Sequence, residues 1–534
     1  MKLFIVESPT KARTIQRYLG KGYIVRATFG HIKDLPKDKL GVDEETLQAN
    51  YVFLRGKKKL VEELKKLAKS AEEVYIGTDP DREGEAIAFF LYRELNTVNR
   101  KLKRAVFHEI TPSALKKSVE EAGNINMNMV YSQFARRILD RLIGYKVSPY
   151  LWKAFKDRKL SAGRVQSPAL RLIVEREREI ENFKERRYYY VKALLEKDGH
   201  RFEALYDYRY ENPSYAKDIL ERIKEGVFSV AFVEDREEKV PPPRPFITSS
   251  LQSEANRILG FSSERTQAIA QKLYEMGYIT YPRTDSYRMS THKAQEFMDY
   301  ILNKFGEAYR GRLRKFREKP TSQGAHECIR PVSLKKANLK GEYQQLYDLV
   351  FRRTLASLMA NMVVKRKEVT VEVSSPSLKG GLKLKAKGVK LEFDGWSRVY
   401  PAQITESSLP ALEEGDILKL VGVEIEERKT QPPPRYTEGS LIKKLEKLGI
   451  GRPSTYSSIV KTLKMRKYVH SYKKVLKPYP VAFDIVDYLM EHFPLMMDYG
   501  FTARMEDTLD KIEQGKLDWK EAVKELLGKV LTDV

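Results

Sequence analysis

The chain has 534 residues, more than one hydrophobic core usually serves, so we expect several domains of roughly 100–200 residues each. Its 98 lysines and arginines exceed its 73 aspartates and glutamates and give a net charge of +25, which favours a polyanionic partner, most simply nucleic acid. The single cysteine, Cys328, excludes intrachain disulfides and a cysteine-rich zinc ribbon.

The first 125 residues alternate between strand and helix patterns. Four runs read as strands: KLFIVE, YIVRATFG, EEVYIGTD and RAVFHEIT. The segments between them have helical character, and PSALKKSVEEAG has the proline near its start and the glycine at its end that frame a helix. Such alternation predicts a mostly parallel sheet with helices on both faces.

Beyond this α/β domain at 1–125 the predicted elements change type repeatedly. The chain is helical at 126–185, β-like at 186–243, helical at 244–359, β-like at 360–434 and helical at 435–534. The proline-rich runs PPPRP and QPPPRY mark two of the boundaries. The symmetrical order predicts nesting: the two β stretches complete one domain around the insert 244–359, and the two outer helical stretches complete another.

A carboxylate-rich turn, GTDPDREGEA, follows the third predicted strand and opens a helix. Asp79, Asp81 and Glu83 occupy alternate positions there, and Glu7 ends the first strand. Because the carboxyl ends of parallel strands line the ligand crevice of such a sheet, these acids could converge. Their repulsion calls for a cation, and oxygen ligands suit Mg²⁺, with Lys11 adding charge near a phosphate. An ordinary acidic turn with an aspartate helix cap is the alternative.

The run GYITYPRTDSYRMS places Tyr281 directly before Pro282 and Arg283. Taken alone, this run is more typical of a packed aromatic residue than of a nucleophile, because buried tyrosines are far commoner than reactive ones. The chain has no G-x-x-x-x-G-K-[ST] motif, so we do not expect a reaction driven by ATP.

Six segments together resemble the bacterial-type DNA topoisomerase I enzymes, the type IA family. They are VESPTKARTIQRYLGKGY, DPDREGEAIA, LSAGRVQSPALRLIVERERE, YITYPRTDS, GAHECIRP and LGIGRPSTYSSIVKTL. They keep the family's order and extend from near the N-terminus to beyond residue 460. The resemblance implies a multi-domain fold: an N-terminal Toprim domain, two helical domains and a β-rich hinge domain, forming a torus with the catalytic tyrosine in 244–359.

The resemblance also implies an activity. One DNA strand is cleaved through a 5′-phosphotyrosine, another strand passes, and religation leaves negatively supercoiled DNA relaxed without ATP. A phenol with a pKa of ~10 needs a nearby cation to act as the nucleophile at neutral pH, which suits Arg283 beside Tyr281. Glu7 matches the family's general acid for the leaving 3′-oxygen. The implied catalytic residues are Tyr281, Arg283, Glu7, Lys11 and His326. The implied ligands of Mg²⁺ are Asp79, Asp81, Glu83 and Glu7.

The implied partner is DNA, in single-stranded segments of a negatively supercoiled duplex, and the implied state is a monomer. Contacts with the DNA backbone are implied for Arg104, Arg136, Arg137, Arg164, Gln166, Arg330, Arg452, Ser454 and Thr455. The last three lie at a predicted helix start, where a phosphate is well placed. A solvated surface arginine is the alternative for each arginine taken singly.

Two features depart from the family's pattern. The chain cannot form the C-terminal zinc ribbons that many relatives carry, so it resembles the core alone. The spelling YPRTD also suits the decatenating, topoisomerase III-like branch, which stays open as an alternative. A non-catalytic DNA-binding module and a Toprim primase or nuclease are rivals from other classes, and the Tyr281–Arg283 pair with its acids argues against them.

Location and habitat follow from composition. No apolar run reaches the ~18 residues of a membrane span, and the first residues lack a signal-peptide cleavage site, so we expect a soluble, cytoplasmic protein. The charged fraction of 32% also suits a thermophile, although that explanation alone predicts a near balance of acids and bases.

Overall fold

The computed structural model describes residues 1–318, 326–378 and 380–532. Its N-terminal part is a parallel sheet of four strands in the order β2-β1-β5-β6. The elements are β1 (Lys2–Val6), α1 (Pro9–Leu19), β2 (Tyr23–Ala27), β3 (Lys33–Asp34), β4 (Val52–Phe53), α2 (Lys57–Ser70), β5 (Val74–Ile76), α3 (Arg82–Leu95), β6 (Leu102–Arg104) and α4 (Pro112–Glu120).

Both faces of this sheet are buried, as the alternation of strands and helices predicts. Leu3 and Ile5 of β1 pack in one apolar core with residues of α2 and α3. Phe4 and Val6 point to the other face and pack with residues of α1 and α4. Successive strand residues alternate between faces, so a strand covered on both sides must be apolar throughout.

The predicted fourth strand, RAVFHEIT, is wrong in its position. The sheet pairs only Leu102–Arg104, and the chain then leaves the sheet. The His108 carbonyl accepts a hydrogen bond of 2.8 Å from the amide of Tyr281, far along the chain. Phe107 and Ile110 join a core shared with that distant segment. Contacts that no local pattern encodes therefore take over these apolar residues.

Three helices and three strands follow the N-terminal part. They are α5 (Met127–Phe155), α6 (Gln166–Glu181), β7 (Arg187–Lys197), β8 (His200–Tyr206), α7 (Pro213–Lys224) and β9 (Val227–Val240). The next elements are α8 (Thr248–Glu254), which continues as a π-helix at Ala255–Leu259, α9 (Ser263–Glu275), α10 (Thr291–Phe305) and α11 (Gly341–Leu358). Strands return as β10 (Met362–Ser374), β11 (Leu382–Phe393) and β12 (Ile417–Lys429).

The six long strands on either side of α8–α11 close into one barrel, in the order β10-β11-β8-β7-β12-β9. Inward residues such as Val191, Val369 and Val371 are fully buried and fill its interior. Closure leaves no free sheet edge, which suits strands that are half apolar and half charged. Residues 187–240 and 362–429 thus form a single sheet although more than 120 residues separate them.

The remaining chain is mainly helical. Its elements are α12 (Glu438–Leu448), α13 (Tyr456–Met465), β13 (Val469–Tyr472), β14 (Val475–Pro478), α14 (Pro480–His492), α15 (Pro494–Met497), α16 (Tyr499–Glu513) and α17 (Trp519–Val530). They share an apolar core with α5 and α6, and Leu35, Val42 and Leu47 of the N-terminal part pack into the same core. Within the described residues, no helix has the length and apolarity that crossing a membrane requires.

Candidate active site

A fully buried lysine joins two of the predicted acids. Lys11, in the first turn of α1, is 1% exposed. Its Nζ donates to Glu7 Oε2 at 2.9 Å and to Asp79 Oδ1 at 2.8 Å. Burial and then the charge of Asp79 raise the pKa of Glu7 to about 7, against the opposing charge of Lys11. Protonation of Glu7 is therefore easier near neutral pH than for an ordinary glutamate.

Asp81 connects the acid turn to the tyrosine. Its Oδ1 caps α3 by accepting from the amide of Gly84 at 2.7 Å. Its Oδ2 accepts a hydrogen bond of 2.5 Å from the Tyr281 hydroxyl. A Cβ at position 84 would lie 2.0 Å from the carbonyl oxygen of Asp79, so only glycine allows the turn to close this tightly.

Arg283 and His31 balance the remaining charge. Arg283 Nη1 lies 3.3 Å from Asp81 Oδ2 and 3.1 Å from Glu83 Oε2. His31 Nε2 lies 2.7 Å from Glu83 Oε1. The hydrogen bond from His31, supported by the charge of Arg283 and opposed by burial, lowers the pKa of Glu83 to about 2. Glu83 is therefore ionised at neutral pH.

Tyr281 is enclosed. It is 2% exposed, and its ring contacts those of Tyr274 and His326 at centroid distances of 5.2 and 5.9 Å. Burial, followed by the charges of Asp81 and Asp79, raises the pKa of Tyr281 well above its ordinary value. The phenol therefore stays protonated at neutral pH, and its attack on any electrophile requires a proton acceptor. Asp81 is in place for that step.

The backbone around Tyr281 is clamped from several sides. The hydroxyl of Thr248, at the start of α8, donates to the carbonyl of Pro282 at 2.7 Å and accepts from the amide of Thr284 at 2.8 Å. The amide of Thr280 donates to the carbonyl of Arg330 at 2.9 Å. These bonds fix the direction of the tyrosine and arginine side chains.

His326 also lies at this junction. Its Nε2 donates to the carbonyl of Pro80, within the acid turn, at 2.9 Å. Burial lowers the pKa of His326, which favours the neutral ring. The ring of His108 lies 5.0 Å away, and burial followed by the charge of His326 lowers the pKa of His108 to about 3. Both imidazoles are therefore neutral at pH 7.

A cleft of about 550 Å³ opens beside these residues. One wall carries Asp81, Glu83, Arg283 and His326. Other lining residues come from α5, the start of α13 and the loop before it. Of the predicted DNA contacts, Arg136, Arg137, Arg452, Ser454 and Thr455 line the cleft. The cleft therefore gathers acids, arginines and hydroxyl side chains from three separate parts of the chain.

The other predicted contacts lie outside this cleft. Arg104 is 3% exposed, and its guanidinium donates to Glu85 and to the carbonyls of residues in the acid turn, including Asp79 at 2.9 Å. Arg164 bonds to Asp140 and Glu506, and Arg330 bonds to Glu109 and Glu327. The side chain of Gln166 packs against Gly163. In this conformation these three arginines bind the protein's own acceptors.

Comparison with known proteins assigns the family. Residues 124–524 match the DNA topoisomerase family model, and residues 2–110 match the Toprim domain model. The chain is 66% identical to DNA topoisomerase 1 of Aquifex aeolicus over 531 residues, which covers 99% of this chain and 98% of that protein. The chain belongs to the DNA topoisomerase family.

Two more distant relatives agree with this assignment. DNA topoisomerase 1 of Pseudomonas aeruginosa is 41% identical, and the match covers 98% of this chain and 66% of that protein. Full-length topoisomerase I from Thermotoga maritima superposes with a TM-score of 0.87 at 39% identity, covering 99% of this chain and 89% of that one. The predicted fold class is confirmed, and the enzyme is a type I DNA topoisomerase, an isomerase.

Several residues that the sequence patterns do not mark also contact the predicted site residues or their neighbours. His31 follows β2, which lies beside β1 in the sheet, so the strand-end argument that selected Glu7 could also have selected His31. Gln271 of α9 donates to Asp79 Oδ2 at 3.0 Å, and no local signal marks it. Arg82 bonds Asp510 and Glu513 across to α16.

The sequence predicts that the clustered acids need a metal ion to neutralise their negative charges. In the structure, cationic side chains of the topoisomerase itself also lie beside these acids. Among the residues that the structure describes, no group of three or more His, Cys, Asp or Glu side chains is placed to hold a metal ion together. Lys11, Arg283 and His31 pair with the acids instead. The donor set still suits Mg²⁺, which typically takes one or two carboxylates and completes its shell with water and phosphate.

Glu506 is a buried acid that pairs with an arginine of the cleft, Arg136. Glu506 of α16 is fully buried and accepts from Arg136 at 3.1 Å and from Arg164 at 2.5 Å. Although burial opposes it, the charges of Arg136 and Arg164 hold the pKa of Glu506 far below its usual 4.5. Removing one partner of a buried pair leaves an uncompensated charge, which costs about 3–5 kcal/mol.

We expect Glu506→Gln to destabilise the helical part of the topoisomerase by about 3–5 kcal/mol, measured as a lower midpoint of urea unfolding followed by circular dichroism. Because the folded-state pKa is depressed, this stabilisation is present above pH 4.5 and is lost as the pH falls below it. The neighbouring Asp507, 51% exposed and paired with Arg452, is the control. Asp507→Asn should cost below about 1 kcal/mol, and an equal effect of both changes would refute this role of Glu506.

Proposed function

We propose that this topoisomerase relaxes negatively supercoiled DNA without ATP and that Tyr281 is its nucleophile. The observation that carries the proposal is the hydrogen bond of 2.5 Å from the Tyr281 hydroxyl to Asp81. It joins a tyrosine and an acid 200 residues apart, each beside a charged partner suited to a phosphodiester. Such a pair of nucleophile and proton acceptor is the usual arrangement for covalent catalysis.

Cleavage exchanges one ester bond for another. The Tyr281 oxygen attacks the phosphorus, its proton passes to Asp81, and the bond from phosphorus to the 3′-oxygen breaks. Glu7, with its raised pKa, returns a proton to the leaving 3′-oxygen. Lys11 and Arg283 neutralise the charge that develops on the phosphate. Religation is the reverse sequence, so the energy of the ester is retained and no nucleotide is consumed.

The residues predicted to contact DNA are proposed to act in two ways, by binding the strand directly or by positioning other parts of the site. Arg136, Arg137, Arg452, Ser454 and Thr455 line the cleft and are proposed to hold the backbone of a single strand next to Tyr281. Arg104, Arg164 and Arg330 lie outside the cleft, and they are proposed to position the acid turn, α16 and the tyrosine segment through their bonds within the protein. His326 is proposed to orient the acid turn through its bond to Pro80.

Opening of the site is part of the proposal. In this conformation Tyr281 is 2% exposed, so a phosphate cannot reach its hydroxyl from solvent. The contacts that close it combine an apolar core, in which Phe107 and Ile110 pack with the tyrosine segment, with polar contacts such as Gln271 to Asp79 and Lys272 to Thr10 at 2.7 Å. Separation of α9 and the tyrosine segment from the acid turn would admit a strand. The same separation after cleavage would open a gate for the passing strand.

Mg²⁺ is proposed as the cofactor, held by Asp79, Asp81 and Glu83 with water and phosphate in the remaining positions. When bound, it supplies charge neutralisation at the phosphate and at the 3′-hydroxyl. The protein's own cations already serve the cleavage step, so religation and relaxation are the steps for which the metal is proposed to matter. We further propose that the enzyme acts as a cytoplasmic monomer.

Removal of the metal tests whether religation and relaxation depend on it while cleavage does not. With EDTA and no ATP, relaxation of negatively supercoiled plasmid should fall by at least about 100-fold, while a single-stranded oligonucleotide is still cleaved and captured. Relaxation is followed on agarose gels and capture on denaturing protein gels. Relaxation that persists in EDTA would contradict the metal's role, and equal loss of capture would contradict the role of Lys11 and Arg283 in cleavage. Addition of ATP should change neither rate.

A further inference from the structure

The segment after α13 forms a basic hairpin that no step of the proposed chemistry uses. Strands β13 and β14 pair from Val469↔Pro478 to Tyr472↔Val475, with Lys473 and Lys474 as the two turn residues. Tyr472 is 50% exposed at the tip. The neighbouring segment at 153–159, which is the end of α5 and the loop after it, is tied to the hairpin, because Arg466 Nη1 donates to the carbonyl of Lys159 at 3.1 Å.

The charge of this surface is one-sided. We call residues 153–159 together with 466–477 the basic hairpin surface. It contains nine basic residues and one acid, Asp157. The basic residues are Lys153, Lys156, Arg158, Lys159, Arg466, Lys467, Lys473, Lys474 and Lys477. None of the nine forms an ion pair with any residue in the described ranges, so this surface keeps nearly all of its positive charge uncompensated.

The turn itself is conformationally costly. Lys473 and Lys474 have φ angles of 46° and 69°, the left-handed region that favours asparagine and glycine in two-residue hairpins. Lys467, at the base of the hairpin, has a φ of 56°. Side chains with a Cβ are disfavoured there, and a sequence that places two lysines at such a turn puts charge at the tip at the expense of stability.

The position of the hairpin relates it to the cleft. Thr455 and Ser458, at the start of α13, line the cleft, and the hairpin begins just after Met465 at the other end of that helix. A helix of 10 residues is about 15 Å long, which corresponds to four or five base pairs at about 3.4 Å each. The basic hairpin surface therefore lies within reach of DNA that extends from the cleft along α13.

We propose that the basic hairpin surface binds a duplex arm of DNA next to the single-stranded segment in the cleft. A two-stranded ribbon fits a groove of B-form DNA, and unpaired lysines suit its phosphates. Single-strand sites instead stack successive bases on several free aromatic rings. Here the Tyr472 ring is already flanked by Lys473 and Lys477, whose Nζ atoms lie 5.4 and 5.8 Å from its centroid. The inference rests on the DNA topoisomerase activity and on no catalytic role.

The test uses the full chain with two changes in the turn, Lys473→Asn and Lys474→Gly. These residues suit the turn better than lysine does, so the melting temperature should not fall. Two DNA probes are compared by fluorescence anisotropy: a single-stranded oligonucleotide, and the same strand extended by a duplex arm. We expect about tenfold weaker binding of the armed probe, with a slope of log affinity against log salt that is smaller by about 2. Binding and cleavage of the single strand should be unchanged.

The matched control removes two exposed lysines of α2, Lys66→Ala and Lys69→Ala, and should leave both probes bound as before. Equal weakening for both probes would identify the hairpin as a single-strand site and overturn the proposal. Unchanged binding of the armed probe would also overturn it. Cleavage of the single strand is measured separately. If the catalytic assignment is wrong, the error appears in that cleavage assay and not in the binding of the armed probe.

Discussion

Tyr281→Phe should abolish covalent capture of DNA and lower relaxation by at least about 10⁴-fold, because no other group replaces a nucleophile that forms the intermediate. The change removes one oxygen and its bond to Asp81 and leaves the ring and its contacts in place. Arg283 still pairs with Asp81, so the variant should fold. Capture is measured with a labelled single-stranded oligonucleotide on a denaturing protein gel, and binding by anisotropy.

Tyr274 provides the control for this prediction. It is fully buried, its ring touches that of Tyr281, and its hydroxyl makes a long bond of 3.5 Å to the carbonyl of Phe107. Tyr274→Phe should keep capture and most of the relaxation activity. An adduct that persists in Tyr281→Phe, or an equal loss in both variants, would remove Tyr281 from the role of nucleophile.

Arg283→Ala should slow single-turnover cleavage by about 10²–10³-fold, the usual effect of removing a donor aimed at developing charge. The change also leaves Asp81 and Glu83 without the cation that they share. Arg283→Lys should recover part of the rate, since it restores the charge but not the planar fork that holds a phosphate by two donors. The rate is measured by mixing excess enzyme with a labelled oligonucleotide and quenching with denaturant.

Arg288 is the matched position for this test. It lies five residues further along the chain, is exposed, and forms no ion pair within the residues that the structure describes. Arg288→Ala changes the net charge by the same amount and should alter the rate by no more than about twofold. If Arg283→Ala and Arg288→Ala have the same effect, general attraction for DNA explains the arginine and a specific role is refuted.

The local parts of this site could be predicted from the sequence. Strand ends and a helix start predict where Glu7, Asp79 and Asp81 lie, because periodicity sets strand ends and a parallel sheet brings its carboxyl ends together. The resemblance to type IA enzymes added Tyr281 and Arg283. The pairing of Tyr281 with Asp81 was out of reach of local patterns, since it depends on how the insert at 244–359 docks on the sheet.

The predicted DNA-binding arginines show what could not be predicted from the sequence. Arg104, Arg136 and Arg164 are predicted as DNA contacts alike. All three are buried against acids, and of the three only Arg136 also lines the cleft. The counterions of Arg104 and Arg164, Glu85 and Glu506, are 19 and 342 residues away in sequence, so no spacing rule finds them. Burial also explains the misplaced fourth strand, whose apolar residues serve a core between two parts of the chain.

The central claim is that Tyr281, held against Asp81 in a closed junction, forms the covalent bond to DNA. Peptide mapping of the trapped adduct tests it most directly: wild-type enzyme is incubated with a single-stranded oligonucleotide labelled at its 3′ end, denatured and digested, and the labelled peptide is identified by mass spectrometry. We predict that the 3′-labelled fragment is attached through its 5′-phosphate to the peptide containing Tyr281. Attachment at any other residue, or retention of the 5′ fragment instead, would contradict it.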